Sequence, residues 1–120
     1  MFDPPIEGEY EIYLNGQLAS HERYIGQILD ISPRGMKIVC GPEIESFLMK
    51  SSLQMNVRFL LDVTYIRALG DVIWSRSFGD SFQCGLNFTV QKDIDELITN
   101  ELKHRRRKEV LAKRINHNIS

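Results

Sequence analysis

From Phe82 to Val90 every second residue is apolar: Phe82, Cys84, Leu86, Phe88 and Val90, opposed by Gln83, Gly85, Asn87 and Thr89. A two-residue period places successive side chains on opposite faces, so this stretch is a strand with one face buried. The same period recurs at Tyr10, Ile12 and Leu14 against Glu9, Glu11 and Tyr13, and again at Met55, Val57, Phe59 and Leu61. Directly after Gln91 the period changes. Ile94, Leu97, Ile98 and Leu102 recur at three- and four-residue steps, the spacing of an amphipathic helix, with Asp93, Asp95 and Glu96 at its positive end. A chain that alternates in twos and then switches to a helical period must bury one sheet face, and it has one helix to help.

Between the first and later strands lies Leu29-Asp30-Ile31-Ser32-Pro33-Arg34-Gly35-Met36-Lys37-Ile38, which has the pattern of strand, polar corner, strand. Asp and Ser can hydrogen-bond nearby amides, Pro fixes one φ, and Gly35 is expected to take the positive φ of a sharp corner. Arg23 to Ile31 is the strand entering this corner, and Gly35 to Cys40 the strand leaving it. Residues 1–8 form an extended lead-in, because Pro4 and Pro5 deny helix and remove amide donors. Asn15-Gly16 is a turn signal. Glu43 to Ser51 fits either a short helical turn or a bulged connection. Thr64 to Ser75 is extended, with a bend, bulge or hairpin turn expected at Gly70, and Ser77 to Asp80 is a turn.

About six short strands followed by a helix point to a small antiparallel barrel or sandwich; closing the sheet would remove edges that 120 residues can ill tolerate. The longest apolar run, Phe59-Leu60-Leu61, is far short of the roughly 20 residues of a membrane span, and no basic, apolar leader opens the chain. A cytoplasmic domain is therefore expected. Cys40 and Cys84 fall inside strands without CxxC spacing, so reduced, buried thiols are expected and a disulfide is the alternative. His21, His104 and His117 have no metal-ligand spacing, and no nucleophile, P-loop or carboxylate pair of catalytic pattern occurs. No catalytic or metal site is expected.

Charge is unevenly placed. Residues 103–114 hold seven basic side chains against Glu109, whereas residues 1–102 hold eight basic and fifteen acidic ones. An acidic body with a basic end could attract an anion, an acidic partner or a neighbouring copy. The helical pattern is interrupted between Leu102 and Val110, so the helix either continues or frays there. Val110, Leu111 and Ile115 would then be available for pairing with another copy, a homo-oligomer through the C-terminal helix.

Three stretches together resemble the PilZ domain family. Asp30-Ile31-Ser32-Pro33-Arg34-Gly35 matches its DxSxxG signature, Gly70-Asp71-Val72-Ile73-Trp74 its GxVxW strand, and Gly85-Leu86-Asn87-Phe88 the glycine and phenylalanine of a late strand. The resemblance implies a six-stranded antiparallel β-barrel over residues 9–102 with the start of a C-terminal helix, 103–120 being a basic helical extension or tail. It implies a bacterial module that binds cyclic di-GMP without a cofactor and relays it to a protein partner in motility, pilus or exopolysaccharide control. Asp30, Ser32 and Gly35 would meet a guanine.

The family's RxxxR, which clamps the phosphates, stands just before the first strand. Here residues 1–9 hold no basic residue and three carboxylates, and RxxxR occurs nowhere in the chain. The replacement cations are then Arg34, Arg23, or the tail residues Arg105, Arg106 and Arg107. The alternative function is an adaptor that does not bind cyclic di-GMP and works through protein contacts. A third, a small nucleic-acid-binding barrel using the tail, is opposed by the acidic body and by the lack of interleaved aromatics. Trp74 is expected in the core or at the barrel–helix contact, a base-stacking surface being its other reading.

Overall fold

The computed structural model describes residues 1–119 other than 51, 90 and 91, with the side chains of 92 and 115–119 also outside the description. The strands are β1 (Ile6–Leu14), β2 (Gln17–Leu18), β3 (Tyr24–Ser32) and β4 (Gly35–Cys40). A 3₁₀ turn, Pro42–Ile44, leads into α1 (Glu45–Leu48), followed by β5 (Leu53–Leu60), β6 (Tyr65–Phe78), β7 (Ser81–Phe88) and α2 (Lys92–Ile119). The ambiguous segment after Cys40 is thus helical as far as Leu48, and Ser51 falls outside the described residues. The apolar position at Val90 falls outside the described residues.

All pairings are antiparallel, and their order is β1-β3-β4-β7-β6-β5, with β5 returning to β1. Gly8 to Tyr10 pair with β3 on one side and β5 on the other, which closes six strands into a barrel. The two-residue β2 folds back on the end of β1 through Asn15-Gly16, both at positive φ, as the turn signal required. β1 begins at Ile6, inside the expected lead-in.

Inward positions of every strand fill the barrel: Tyr10 and Ile12, Ile28, Ile38, Met55 and Val57, Ile66, and Cys84 are all essentially inaccessible. Cys40 and Cys84 are both free and buried. Their contact, then burial, holds the Cys40 thiol above its ordinary pKa. The phenol of Tyr10 is pushed up by burial and donates to Glu43 Oε1 at 2.8 Å, tying β1 to the 3₁₀ turn.

Ile98 at 0% exposure, with Ile94, Leu97 and Leu102 partly buried, seats α2 on the barrel. The helix is continuous through the basic run to Ile119, about 42 Å at 1.5 Å per residue. Its packing on the barrel runs through Lys108; beyond it Val110 and Leu111 are exposed, and the side chain of Ile115 lies outside the description. A polar lock secures the packed half. Buried Glu101 accepts the amides of Val63 and Thr64 at 3.2 and 2.7 Å, Arg105 Nη1 donates to the carbonyl of Leu61 at 2.9 Å, and Lys108 meets Asp62 at 2.5 Å.

Replacing Glu101 by Ala strands two amides and should destabilise the fold by about 1–3 kcal/mol in urea denaturation. Glu101→Gln, which keeps an acceptor, should cost less. Equal losses in the two variants would mean that the lock contributes through packing alone.

Candidate functional site

The polar corner is built by a β-bulge. Ile28 pairs with Ile38 and Asp30 with Lys37, so Leu29 is one residue too many for the facing strand. In a regular strand Asp30 would share the inward face with Ile28. The extra residue reverses the phase: Ile31 is buried, and the Asp30 side chain is turned out at 51% exposure. One carboxylate oxygen of Asp30 accepts the amide of Ile31 at 3.0 Å, and the other is uncommitted among the described residues.

Pro33 and Arg34 make the turn, and Ser32 pairs with Gly35. The Ser32 hydroxyl is exposed and only 3.5 Å from the Gly35 carbonyl, at the limit of a hydrogen bond. Gly35 does not take the positive φ expected of it. Its role is close approach: a Cβ there would overlap the carbonyl oxygen of Leu86 on β7. The Phe88 amide donates to the Arg34 carbonyl at 2.7 Å and holds the turn against the same strand.

A second bulge faces the first. β6 runs straight through Gly70, paired on both sides, and the irregularity falls at Ile73, between Val72↔Leu86 and Trp74↔Gly85. Trp74 is therefore not in the core. It lies on the outer face at 37% exposure, its indole occupying the space over Gly85 where a Cβ would stand. Arg76 sits beyond it, donating from Nε and Nη2 to Gln83 Oε1 at 2.9 and 2.6 Å. An open cleft results, with Asp30, Ser32 and Lys37 on one wall, Ile73 and Trp74 on the other, and Gly85 in the floor.

Asp30 also borders a second cleft, made with α2 and the lead-in: Phe2, Asp3, Arg105, Arg106, Glu109 and Lys113. The Phe2 amide donates to the Leu29 carbonyl at 2.8 Å, so the lead-in lies along the bulge. The Arg105 guanidinium is 5.2 Å from the Phe2 ring centroid. Its Nε is 3.2 Å from Glu109 Oε1, within ion-pair distance, and this buried donor has no hydrogen-bond partner among the described residues.

The structure thus gathers Asp30, Ser32, Gly35, Arg105 and Arg106 around one corner. Arg34 is exposed at the tip of the turn and lines neither cleft, and Arg107 is exposed on α2 without lining them. Arg23 is not brought to the corner. It precedes β3 and borders a different cleft with Glu9, Glu11, Arg58 and Arg67, seven residues and about 23 Å of strand from Asp30. Lys37 and Lys113 were not among the expected site residues. Lys37 follows from strand register; Lys113 required knowing that α2 does not break.

The small closed barrel thus exposes a polar corner between an aromatic wall and a basic helix. A sequence model of the PilZ domain matches residues 5–103, and the chain belongs to that family, whose members are cyclic di-GMP-binding and adaptor domains. No curated protein matches the chain.

The placement of Trp74 has a direct readout, because it is the chain's one tryptophan. Gly85→Ala should expel the indole and shift its fluorescence emission to the red, with native circular dichroism retained. An unchanged spectrum would mean that the indole does not lie across Gly85.

Proposed function

We propose that the chain is a cyclic di-GMP-binding signalling module in which cations of α2 replace the arginines absent from the lead-in. The observation that carries this is the position of Asp30, shared by a cleft walled with Trp74 and one walled with Arg105, Arg106 and Lys113. A guanine presents N–H donors on one edge and a flat π-face. The Asp30 carboxylate suits the first, with Ser32 alongside, and the outward face of Trp74 suits the second.

The phosphates need positive charge. Arg106 can engage one through a planar fork, and Lys113 and Lys37 supply point charges. Arg105 is tied to Leu61 and Phe2, so it contributes its field and the unpartnered Nε more than a free guanidinium. Near a solvated surface each such contact is worth roughly 1 kcal/mol at 4 Å in water and more where water is excluded. Because Arg105, Arg106 and Lys113 sit on α2, occupancy would act on the helix that projects beyond the barrel, giving a route to a protein partner.

One observation favours the ligand-independent adaptor instead. Asp3 and Glu109 both line the cleft where a dianion would have to lie. The two readings part in one experiment, calorimetric titration with cyclic di-GMP against a GTP control. Binding at micromolar affinity or tighter is expected, with Asp30→Ala weakening it by about 1–3 kcal/mol. Arg106→Glu should weaken it further and flatten its salt dependence, while Arg23→Glu should leave it unchanged. Absence of heat and of a thermal shift at millimolar nucleotide would refute the sensor reading and leave the adaptor.

A further inference from the structure

β6 is the longest strand, and it outruns its neighbour. Its last partner on β5 is Asp71, opposite Gln54; from Val72 to Phe78 it is paired only with β7 among the described residues. Seven residues, about 23 Å, therefore form an open sheet edge, which no Lys or Pro blunts. Gly79, at φ +62°, and Asp80 turn the chain back, so Phe78 and Ser81 close a two-residue hairpin as a hydrogen-bonded pair. By alternation Arg76 and Trp74 also bond to β7, while Ser75 and Ser77 turn their amides and carbonyls outward. The large side chains leave those groups uncovered. The Trp74 indole lies over Gly85 and Arg76 is folded onto Gln83, both toward β7.

We propose that this edge is covered by the same edge of a second copy of the chain, the two β6 strands running antiparallel about a two-fold axis at Ser75.

The register follows from the edge itself. Two registers keep Ser75 in the ladder and pair most of the open stretch, one centred on Arg76 and one on Ser75. Centred on Arg76, the two arginines would stand directly opposite each other, and Val72 would face Asp80 in the turn. Centred on Ser75, each Arg76 faces a Trp74, and the only charge of the stretch never meets its like. The length then agrees. Residues 72–78 of one copy meet 78–72 of the other, so each open stretch is filled to its ends, and the hairpin turns away where β5 takes over at Gln54. The side chains agree as well. Phe78, 51% exposed, arrives opposite Val72, which lines a cleft with Leu48 and Leu53. Each copy thus offers one uncovered aromatic and one apolar cleft, and a two-fold axis satisfies both at once, as an isologous contact requires. A strand of unrelated sequence would meet the same backbone but has no reason to match this length, this charge position and this cleft together. The pairing sets the two Trp74-walled clefts on one continuous sheet, β7-β6-β6-β7. It goes beyond the proposed ligand site and stands whether or not that site binds nucleotide.

The test is sedimentation equilibrium of the full chain, without nucleotide, from micromolar to millimolar concentration. A monomer–dimer equilibrium is expected, with hydrogen exchange at the Ser75 and Ser77 amides slowing as the dimer fills. Ser75→Pro removes an amide that β7 does not use and should weaken the dimer about tenfold or more, with native circular dichroism retained. Phe78→Asp should weaken it in the same sense while leaving the backbone alone. On mild oxidation Ser75→Cys should cross-link to its own copy, the facing Cα atoms lying about 5.5 Å apart, whereas Ser77→Cys, about 13 Å from its copy, should not. The proposal is overturned if the chain stays monomeric at millimolar concentration, or if it dimerises with the β6 amides exchanging as in the monomer. It is likewise overturned if folded Phe78→Asp and Ser75→Pro dimerise as the native chain does, or if Ser77→Cys links as fast as Ser75→Cys. None of these outcomes depends on the response to cyclic di-GMP, so the two proposals fail separately.

Discussion

Everything in this fold hangs on β1 carrying two ladders at once. Between Gly8 and Tyr10 the strand is bonded to β3 on one side and β5 on the other, and that double pairing turns a sheet into a barrel. Closure fixes one inward face for every strand. It also leaves a small interior filled by apolar side chains, where a polar group must find a partner, as the Tyr10 phenol does on Glu43. A carboxylate on any strand must then be turned outward or go unpaired in the core.

That constraint explains why the candidate site is made from irregularities. β3 needs both Ile28 and Ile31 inside, and residues three apart cannot share a face of a regular strand. The bulge at Leu29 resolves the conflict and delivers Asp30 to the surface as a consequence. β6 repeats the device at Ile73 and puts Trp74 outside, and Gly85 is the complementary absence that lets the indole lie flat against the barrel. The polar corner and the aromatic wall are therefore products of closure as much as of any ligand.

Regular elements were legible because their information is local. The two-residue periods of β1, β5 and β7 and the helical step from Ile94 to Leu102 each declare a face without reference to a partner. What escaped was information held between strands. Gly35 serves the approach of Leu86, not a local turn angle, and Trp74 leaves the core because an extra residue beside it shifts register with β7. Glu101, which looks like one more surface carboxylate of an amphipathic helix, is buried because two amides of the β5–β6 connection converge on it. The trace of the bulge was in the chain all along: Ile28 and Ile31 break the alternation that their neighbours keep.

α2 and β6 share a design. Each packs along part of its length and then extends past the body that holds it, α2 beyond the lock at Glu101 and Arg105, β6 beyond its last pairing with β5 at Asp71. The proposed ligand site, two clefts that share Asp30, touches both, through Arg105 and Arg106 on the helix and through Ile73 and Trp74 on the strand. Ile73 and Trp74 also border a cleft along the open edge of β6, so the bulge is exposed on two sides. In a barrel whose remaining strands are fixed by closure, a base stacked on the indole and phosphates held by α2 would act on the two elements that outrun the body.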